Sequence, residues 1–315
     1  MPSDSDFKPP CSETYVIGMD VGGTKIAAGL VSFPTGKIVK KEIIPTLPGR
    51  GGEPVLADTL ALARRLSEHA VSLGQRLSGI GIGIAELVSL GGEVTSDYLI
   101  KWRGLPVLAT MSQIAPALLE SDARAPALAE ALFGAGRPYS NFVYLTVGTG
   151  ISYCLVLDAK PYAGAHGHAI IAGSGPLTSE CERCGAIRDQ VLEEFAAGPS
   201  LVARYNRRRG AQLTGGQEVT AAAEGGDRIA EEVVRSAGVA LGNSVGFLVN
   251  VLDPQAVIVG GGLGLAGGLY WESFVASARK HIWSDISRNL PILPAALGLD
   301  AGLIGGAATV WKRVG

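Results

Sequence analysis

Residues 15–32, YVIGMDVGGTKIAAGLVS, hold the pattern that decides the fold. An apolar strand-like run leads into Asp20, a glycine turn follows, and a second apolar run returns. Two adjacent glycines, Gly22 and Gly23, let a backbone turn tightly and bring its N–H groups close to a bulky anion. Thr24 adds a hydroxyl, and Asp20 offers a carboxylate to a bound metal ion. The pattern predicts a phosphate-binding hairpin, although an ordinary β-hairpin with a glycine turn would give the same letters.

The same device recurs in the second half of the chain, at residues 142–157, FVYLTVGTGISYCLVL. There an apolar strand reaches Gly148, Thr149 and Gly150 before a strand returns. Two such hairpins predict two related lobes that face one nucleotide. A third glycine-rich strand end, AVIVGGGL at residues 256–263, suits the close approach of a flat ring such as adenine. The glycines expected to flank the adenosine are Gly260, Gly261 and Gly262.

The composition is typical of a globular α/β protein. The chain has 315 residues, of which 47% are hydrophobic and 44 are glycine, and its net charge is −2. The length suggests two domains, and the small net charge gives no electrostatic basis for nucleic-acid binding. An uncharged apolar stretch of membrane-spanning length is missing, and the polar start lacks the apolar core of a signal peptide. We therefore expect a cytoplasmic protein with neither a nucleic-acid nor a membrane partner.

The order of strand-like and helix-like segments predicts two α/β lobes around a cleft. We expect a flexible tail over residues 1–13, a small lobe over 14–120 completed by about 298–315, and a large lobe over 121–297. Apolar residues at helical spacing predict helices over 54–73, 123–133, 227–251 and 301–311. Alternating or continuous apolar runs predict strands over 15–19, 26–31, 38–44, 77–84 and 117–119.

Eight motifs, in order along the chain, resemble those of the ROK family of sugar kinases, within the actin-like ATPase superfamily. They are DVGGTKIAAGL (20–30), GIGIAE (81–86), SDARAPALAE (121–130), VGTGIS (147–152), GAHGHA (164–169), LEEFAAGPSLVARY (192–205), LVNVLDPQAVIVGGGL (248–263) and AGLIGGAA (301–308). The resemblance implies a two-lobed actin-like ATPase (ribonuclease H-like) fold with the active site in the cleft between the lobes. It also implies phosphoryl transfer from ATP to a sugar hydroxyl, with Mg²⁺ held by Asp20 and the ATP phosphates. Kinases of this family are often homodimers.

Asp122 is the general base that the resemblance implies. The family carries an Asn-Asp pair at the end of a strand, just before a helix, and the pair here is Ser121-Asp122. A carboxylate that faces the cleft can accept the proton of the attacking hydroxyl. An aspartate at this position could instead cap the helix. Ser121 lacks the amide of the usual Asn, so we expect an altered acceptor contact there.

The acceptor side departs from the family pattern. The family places Glu-x-Gly-His after a Gly-x-x-Gly-x-Ala run, and the Glu grips sugar hydroxyls. Ile171 and Ser174 stand at the positions of that Glu and that His. We therefore expect the usual contacts near the anomeric end of a pyranose to be lost. The candidate acceptor contacts that remain are Gly83, Ser121, His168 and Glu193, the last from the family's Leu-Glu pair.

The zinc-binding loop of the family is also incomplete. Cys181 and Cys184 keep a C-x-x-C spacing, but Arg188 and Asp189 replace the later Gly-Cys. A structural zinc ion takes four protein ligands, so we expect two reduced cysteines in preference to a zinc site.

The sequence therefore favours an ATP-dependent kinase that acts on a primary hydroxyl of a small polyhydroxylated acceptor. A C7-cyclitol of the valiolone or valienone type fits the missing grip, because it has a hydroxymethyl group but lacks a ring oxygen. A hexose or an amino sugar is the glucokinase-like alternative. A non-catalytic sugar-sensing regulator is the second alternative, although we expect the segment before the first strand to be too short for a helix-turn-helix domain.

Overall fold

The computed structural model describes residues 13–177, 179–180, 184–185 and 187–314. Its strands are β1 (Thr14–Val21), β2 (Lys25–Phe33), β3 (Lys37–Pro45), β4 (Leu77–Ile84), β5 (Ala117–Ser121), β6 (Asn141–Val147), β7 (Ile151–Leu157), β8 (Lys160–Pro161), β9 (Ser179–Glu180), β10 (Ile187–Arg188), β11 (Ala256–Gly260) and β12 (Ile292–Pro294). Its α-helices are α1 (Gly52–Ser72), α2 (Val107–Met111), α3 (Arg124–Phe133), α4 (Leu192–Ala196), α5 (Gly198–Arg209), α6 (Gly216–Glu224), α7 (Arg228–Leu252), α8 (Gly268–His281), α9 (Asp285–Arg288) and α10 (Ala301–Val314).

Two five-stranded sheets of the same topology form the framework. The first sheet has the order β3-β2-β1-β4-β5, and the second has the order β8-β7-β6-β11-β12. In each sheet the first three strands are antiparallel neighbours, and the last two add in parallel. This repetition confirms the two related lobes predicted from the two glycine hairpins.

The predicted helices and strands are present, with ends that differ by up to three residues. Local chemistry explains several of these ends. Asp227 accepts hydrogen bonds from the N–H groups of Ile229 and Ala230, which fixes the start of α7. Gly74 has a φ of 70°, a left-handed conformation that suits glycine after the end of α1.

Helix α3 lies between the two sheets. Ala123, Ala127 and Ala131 pack into a core with Phe142 and Tyr144 of the second sheet. Ala129, on another side of the same helix, packs with α10 and with the first sheet. The start of α3 is therefore fixed by both lobes, and Asp122 stands directly before it.

Helix α10 packs closely on β1 and β4 because glycines face each other there. A Cβ on Gly18 would overlap the carbonyl of Leu303, and a Cβ on Gly81 would overlap the carbonyl of Gly306. The other face of the first sheet is covered by α1, through residues such as Leu62. The second sheet packs against α4 to α8 in the largest core of the molecule. In the part of the chain described, none of the helices is long and apolar enough to cross a membrane.

Candidate active site

Three neighbouring parallel strands end at a carboxylate on the same edge of the first sheet. Asp20 lies at the end of β1, opposite Gly83 of β4. Glu86 follows β4, and Asp122 follows β5 and donates its backbone N–H to the Ile84 carbonyl at 3.1 Å. Ligands of open α/β sheets bind beyond the carboxyl ends of the strands, so this edge is the expected place for chemistry.

Ser121, and not Asp122, takes the main capping role at the start of α3. The Ser121 hydroxyl accepts the N–H of Ala123 at 3.1 Å and lies 3.5 Å from the backbone nitrogen of Arg124. Desolvation, together with the negative charges of Asp20, Glu193 and Glu86, raises the pKa of Asp122 to about 7, while the Ala123 N–H acts in the opposite direction. A carboxylate with this pKa is suited to accept a proton at neutral pH.

The Asp20 carboxylate fits the role of a magnesium ligand. Its side chain is only half-buried at the end of β1. Desolvation raises the pKa of Asp20 to about 6, and the nearby charge of Lys25 partly opposes the rise. Gly302 lies against this carboxylate, where a Cβ would stand 2.5 Å from Oδ2. Oxygen ligands of this kind are the ones that Mg²⁺ prefers in proteins.

The two glycine hairpins face each other across the cleft. The hydroxyl oxygens of Thr24 and Thr149 lie 3.1 Å apart, one from each lobe. Gly22 donates its N–H to the carbonyl of Lys25 at 3.1 Å, and Gly148 donates to the carbonyl of Gly150 at 2.9 Å. Each turn is therefore closed by a backbone hydrogen bond, although the first turn is one residue longer, and the two threonine hydroxyls meet.

The third glycine run lies beside the second hairpin. A Cβ built on Gly148 would stand 3.9 Å from the backbone nitrogen of Gly262. Gly261 has a φ of 83° and leaves no room for a Cβ, which would meet the Val147 backbone nitrogen at 2.6 Å. A Cβ on Gly260 would overlap the hydroxyl of Tyr144. Around Gly262, by contrast, the described residues leave open space for a ligand.

Glu193 brings a fourth carboxylate from the second lobe to Asp122. It lies at the start of α4, and its Oε2 accepts the backbone N–H of Ile151 at 2.7 Å. Its charge is one of the causes of the raised pKa of Asp122, so the two groups are close. The structure thus brings together three of the predicted residues, Asp20, Asp122 and Glu193, from positions far apart in the sequence.

The remaining predicted acceptor contacts have different surroundings. Gly83 is paired with Asp20 on one neighbouring strand and with Glu120 on the other. It also packs against Ala125 of α3, so it contributes to the contact between the sheet and this helix. His168 lies on the loop after β8, with Nε2 2.8 Å from the Thr95 hydroxyl. Ser121 directs its hydroxyl at the backbone that starts α3.

The sequence reasoning missed Glu86. This buried carboxylate accepts a hydrogen bond from the Ser96 hydroxyl and others from the N–H groups of Tyr98, Leu99 and Ile100, at 3.0, 2.6 and 2.7 Å. Burial acts to raise the pKa of Glu86, but these hydrogen bonds outweigh it and hold the pKa below its usual value. A carboxylate within two residues of the end of a buried strand was the available signal.

Of the two cysteines in the C-x-x-C spacing, the structure describes Cys184. Cys184 is exposed and unbridged, and Cys181 lies outside the described residues. Where the chain is described, it holds no group of three or more His, Cys, Asp and Glu side chains arranged for a metal ion. The preference for two reduced cysteines stays a prediction, as does the homodimer.

Two lobes of the same topology, with phosphate-type hairpins meeting over carboxylates at the strand ends, define a protein of the two-lobed actin-like ATPase fold. The chain belongs to the ROK family, because the model of that family matches residues 16–313. The fold and the resemblance predicted from the sequence are thereby confirmed.

Relatives and solved structures match over nearly the full length. A glucokinase from Thermotoga maritima is 29% identical over 95% of this chain and 98% of its own length. An N-acetylmannosamine kinase from Yersinia pseudotuberculosis is 30% identical over 94% of this chain and 98% of its own length. The structure of a ROK family glucokinase from Streptomyces griseus, in complex with glucose and AMPPNP, has a TM-score of 0.81 and 29% identity, covering 95% of this chain and 99% of its own.

Proposed function

We propose that this protein transfers the γ-phosphate of ATP to a primary hydroxyl of a sugar or sugar-like cyclitol, with Asp122 as the general base. At the level of class, the chain is an ATP-dependent carbohydrate kinase, in line with its full-length relatives. The observation that carries the residue-level proposal is the Asp122 carboxylate with a pKa near 7, at the strand edge that the two hairpins face.

The reaction uses Asp122 for the proton and the hairpins for the phosphates. The acceptor oxygen forms a bond to the γ-phosphorus as the bond from that phosphorus to the bridging oxygen breaks, and ADP leaves. Asp122 takes the hydroxyl proton in this step. Gly23 and Thr24 on one side, and Thr149 and Gly150 on the other, offer N–H and hydroxyl donors to the phosphate oxygens, while Gly22 and Gly148 shape the two turns with their own N–H bonds.

The proposal also covers the residues that would bind Mg²⁺ and the adenosine of ATP. Asp20 would hold Mg²⁺ together with the ATP phosphates, and the ion supplies positive charge that neutralises the phosphate oxygens. The adenosine would lie along the run Gly260 to Gly262, where Gly262 faces open space. Among the sequence-predicted acceptor contacts, Glu193 is the one whose charge acts on Asp122.

The acceptor class rests on the residues that depart from the family. Ile171 is 48% exposed and offers no hydrogen bond where a glutamate would accept two, which favours a C7-cyclitol of the valiolone or valienone type. A hexose or an amino sugar has equal support, because the relatives named above are kinases of glucose and of N-acetylmannosamine.

An ADP-release assay with Mg-ATP tests the proposal against a panel of hexoses, amino sugars and C7-cyclitols. We expect turnover on one of these classes and a loss of at least about 100-fold in kcat in Asp122→Asn. Asp285→Asn is the matched control, since the side chain of Asp285 is 88% exposed and lies on α9. Full turnover by Asp122→Asn would refute the role of the base.

The sensor alternative has its own outcome in the same experiment. If the wild-type protein releases no ADP with any acceptor, yet a panel sugar raises its melting temperature, the result favours a sensor or an acceptor outside the panel. Efficient glucose phosphorylation at low glucose concentration would defeat the cyclitol proposal while leaving the kinase proposal intact.

A further inference from the structure

A cavity of about 510 Å³, wide open to solvent, lies between a loop of the first lobe and a loop of the second. One wall comes from the loop after β4 and the other from the loop after β8. We call it the two-loop cavity; its lining includes Ser89, Leu90, Thr95, Ala165, His166 and His168. Its size is within the range of small-molecule sites, about 300–1,000 Å³.

The two-loop cavity is connected to the catalytic residue through Arg124. This side chain belongs to the first residue of α3, two positions after Asp122, and is only 9% exposed. Its Nη1 donates to the carbonyl of Gly167, and its Nη2 donates to the carbonyl of Val88 at 3.1 Å. One guanidinium therefore holds both loops at the start of the helix that carries the base.

Glu120 keeps that guanidinium in place. Its Oε1 accepts from Arg124 Nε at 2.6 Å and lies 2.5 Å from Nη2. Gly167 allows the loops to touch, because its φ of 85° suits glycine and a Cβ there would overlap the Val88 carbonyl. Lysine could carry the same charge, but its single ammonium group lacks the planar fork with which the guanidinium reaches both loops and the carboxylate.

The contact between His168 and Thr95 fixes the proton positions in the cavity. The Thr95 hydroxyl donates to the Leu87 carbonyl at 3.1 Å, since a carbonyl can only accept. The same hydroxyl then accepts from His168 Nε2–H, at 2.8 Å. In the neutral ring the other nitrogen, Nδ1, is left as a hydrogen-bond acceptor.

We propose that the two-loop cavity binds the end of the acceptor remote from the phosphorylated hydroxyl, with His168 Nδ1 accepting from a ring hydroxyl and Arg124 acting as a positioning residue. The ligand class is a neutral cyclic polyol. This inference rests on the proposed function for its reaction. It gives the chain a hydrogen-bond acceptor for substrate hydroxyls in place of the family's glutamate, at whose position Ile171 stands. Thr95 also adjoins Ser96, which bonds Glu86, a carboxylate whose charge acts on Asp122.

Steady-state kinetics on the best panel acceptor test the proposal in His168→Ala and Arg124→Lys. We expect the KM for the acceptor to rise about tenfold in each variant, with the KM for ATP within twofold of wild type. The controls are His69→Ala on α1 and Arg65→Lys, an exposed arginine paired with Glu42. If the acceptor KM is unchanged in both test variants, the proposal is wrong.

Binding without turnover separates this inference from the proposed function. Glucose, 1,5-anhydroglucitol and valiolone, added at millimolar concentration without ATP, are the probes in a thermal-shift assay. A polyol shift that survives in Asp122→Asn but disappears in His168→Ala supports the cavity even if the wild type transfers no phosphate. A shift that His168→Ala retains in full overturns it. If His168→Ala fails to fold, Thr95→Val decides in the same assays, with an unchanged shift and KM counting against the proposal.

Discussion

At the residue scale, the raised pKa of Asp122 depends on Ser121, which caps α3 in its place. Ser121 satisfies the N–H groups at the start of α3, which leaves the Asp122 carboxylate among Asp20, Glu86 and Glu193. Desolvation and like charges favour the protonated form, which brings the pKa of Asp122 close to 7. A general base near neutrality is efficient, but it is inactive once protonated.

The pH dependence of kcat/KM for the acceptor is the first consequence. We expect kcat/KM for the acceptor to rise as the pH increases from 6 to 8, with a midpoint near the pKa of about 7 for Asp122. The rise reflects loss of a proton from the base. Initial-rate measurements at saturating Mg-ATP would check it, and a profile that is flat from pH 5.5 to 8.5 would contradict the assignment.

The same pKa has a consequence for stability. The pKa of Asp122 is higher in the folded protein than in the unfolded chain, so the unfolded state loses its proton first and stability falls as pH rises toward 7. Asp122→Asn cannot ionise, and we expect its melting temperature to exceed that of wild type at pH 8 by about 2–6 °C, since one kcal/mol is worth about 2–4 °C in a chain of this size. The difference should shrink at pH 5. Calorimetry without nucleotide or metal would show it, and a lower melting temperature at pH 8 would mean that the carboxylate is stabilising.

Sequence patterns could identify residues that lie in contiguous motifs, and Asp20 and Asp122 are of this kind. They could not identify Arg124 or the Thr95–His168 contact, because those partners come from loops that only the fold brings together. Gly83 shows a second limit of reasoning from motifs. It stands in a matching motif, yet its burial against Ala125 gives it a packing role.

At the element scale, the segment 95–101 depends on Glu86 for its path across the first lobe. Four consecutive N–H groups and one hydroxyl point at this one carboxylate. Leu99 then lies over the first hairpin, since a Cβ on Gly23 would stand 2.5 Å from its Cδ2. The segment therefore links the phosphate hairpin to Thr95 and the two-loop cavity.

Glu86→Gln should loosen this segment. The amide carries no charge and replaces one acceptor oxygen by a donor, so we expect a loss of about 1–3 kcal/mol in the free energy of unfolding. The pKa of Glu86 lies below its usual value in the folded protein, so its contribution is present at neutral pH and is lost on acidification through that folded pKa. Hydrogen exchange at Tyr98, Leu99 and Ile100 should become at least tenfold faster, and it should not in the exposed control Glu93→Gln. Unchanged protection would mean that other contacts hold the segment.

At the scale of the whole molecule, two helices relate the lobes to each other. Helix α3 packs on the second sheet through one side and meets α10 on another. Buried Glu130, near the end of α3, accepts the N–H groups of Ala296 and Leu297, which fixes the segment that precedes α10. The repeated hairpins were enough to predict two lobes of one topology. The glycine contacts that set how closely α10 approaches α3 leave no periodic pattern in the sequence, so they become evident only in the folded structure.

Gly305→Ala tests whether this close approach positions the active site. A Cβ at Gly305 would overlap the carbonyl of Ala125, so α10 and α3 must separate. Because Gly302 of α10 contacts Asp20 and α3 follows Asp122, the separation shifts the two carboxylates relative to each other. We expect a loss of about 1–3 kcal/mol in stability and a fall in kcat of at least about tenfold. Gly49→Ala is the matched control, since the described residues leave open space at that position. If Gly305→Ala lowers the melting temperature but leaves kcat unchanged at a temperature where it is folded, α10 stabilises the lobe without setting the distance between Asp20 and Asp122.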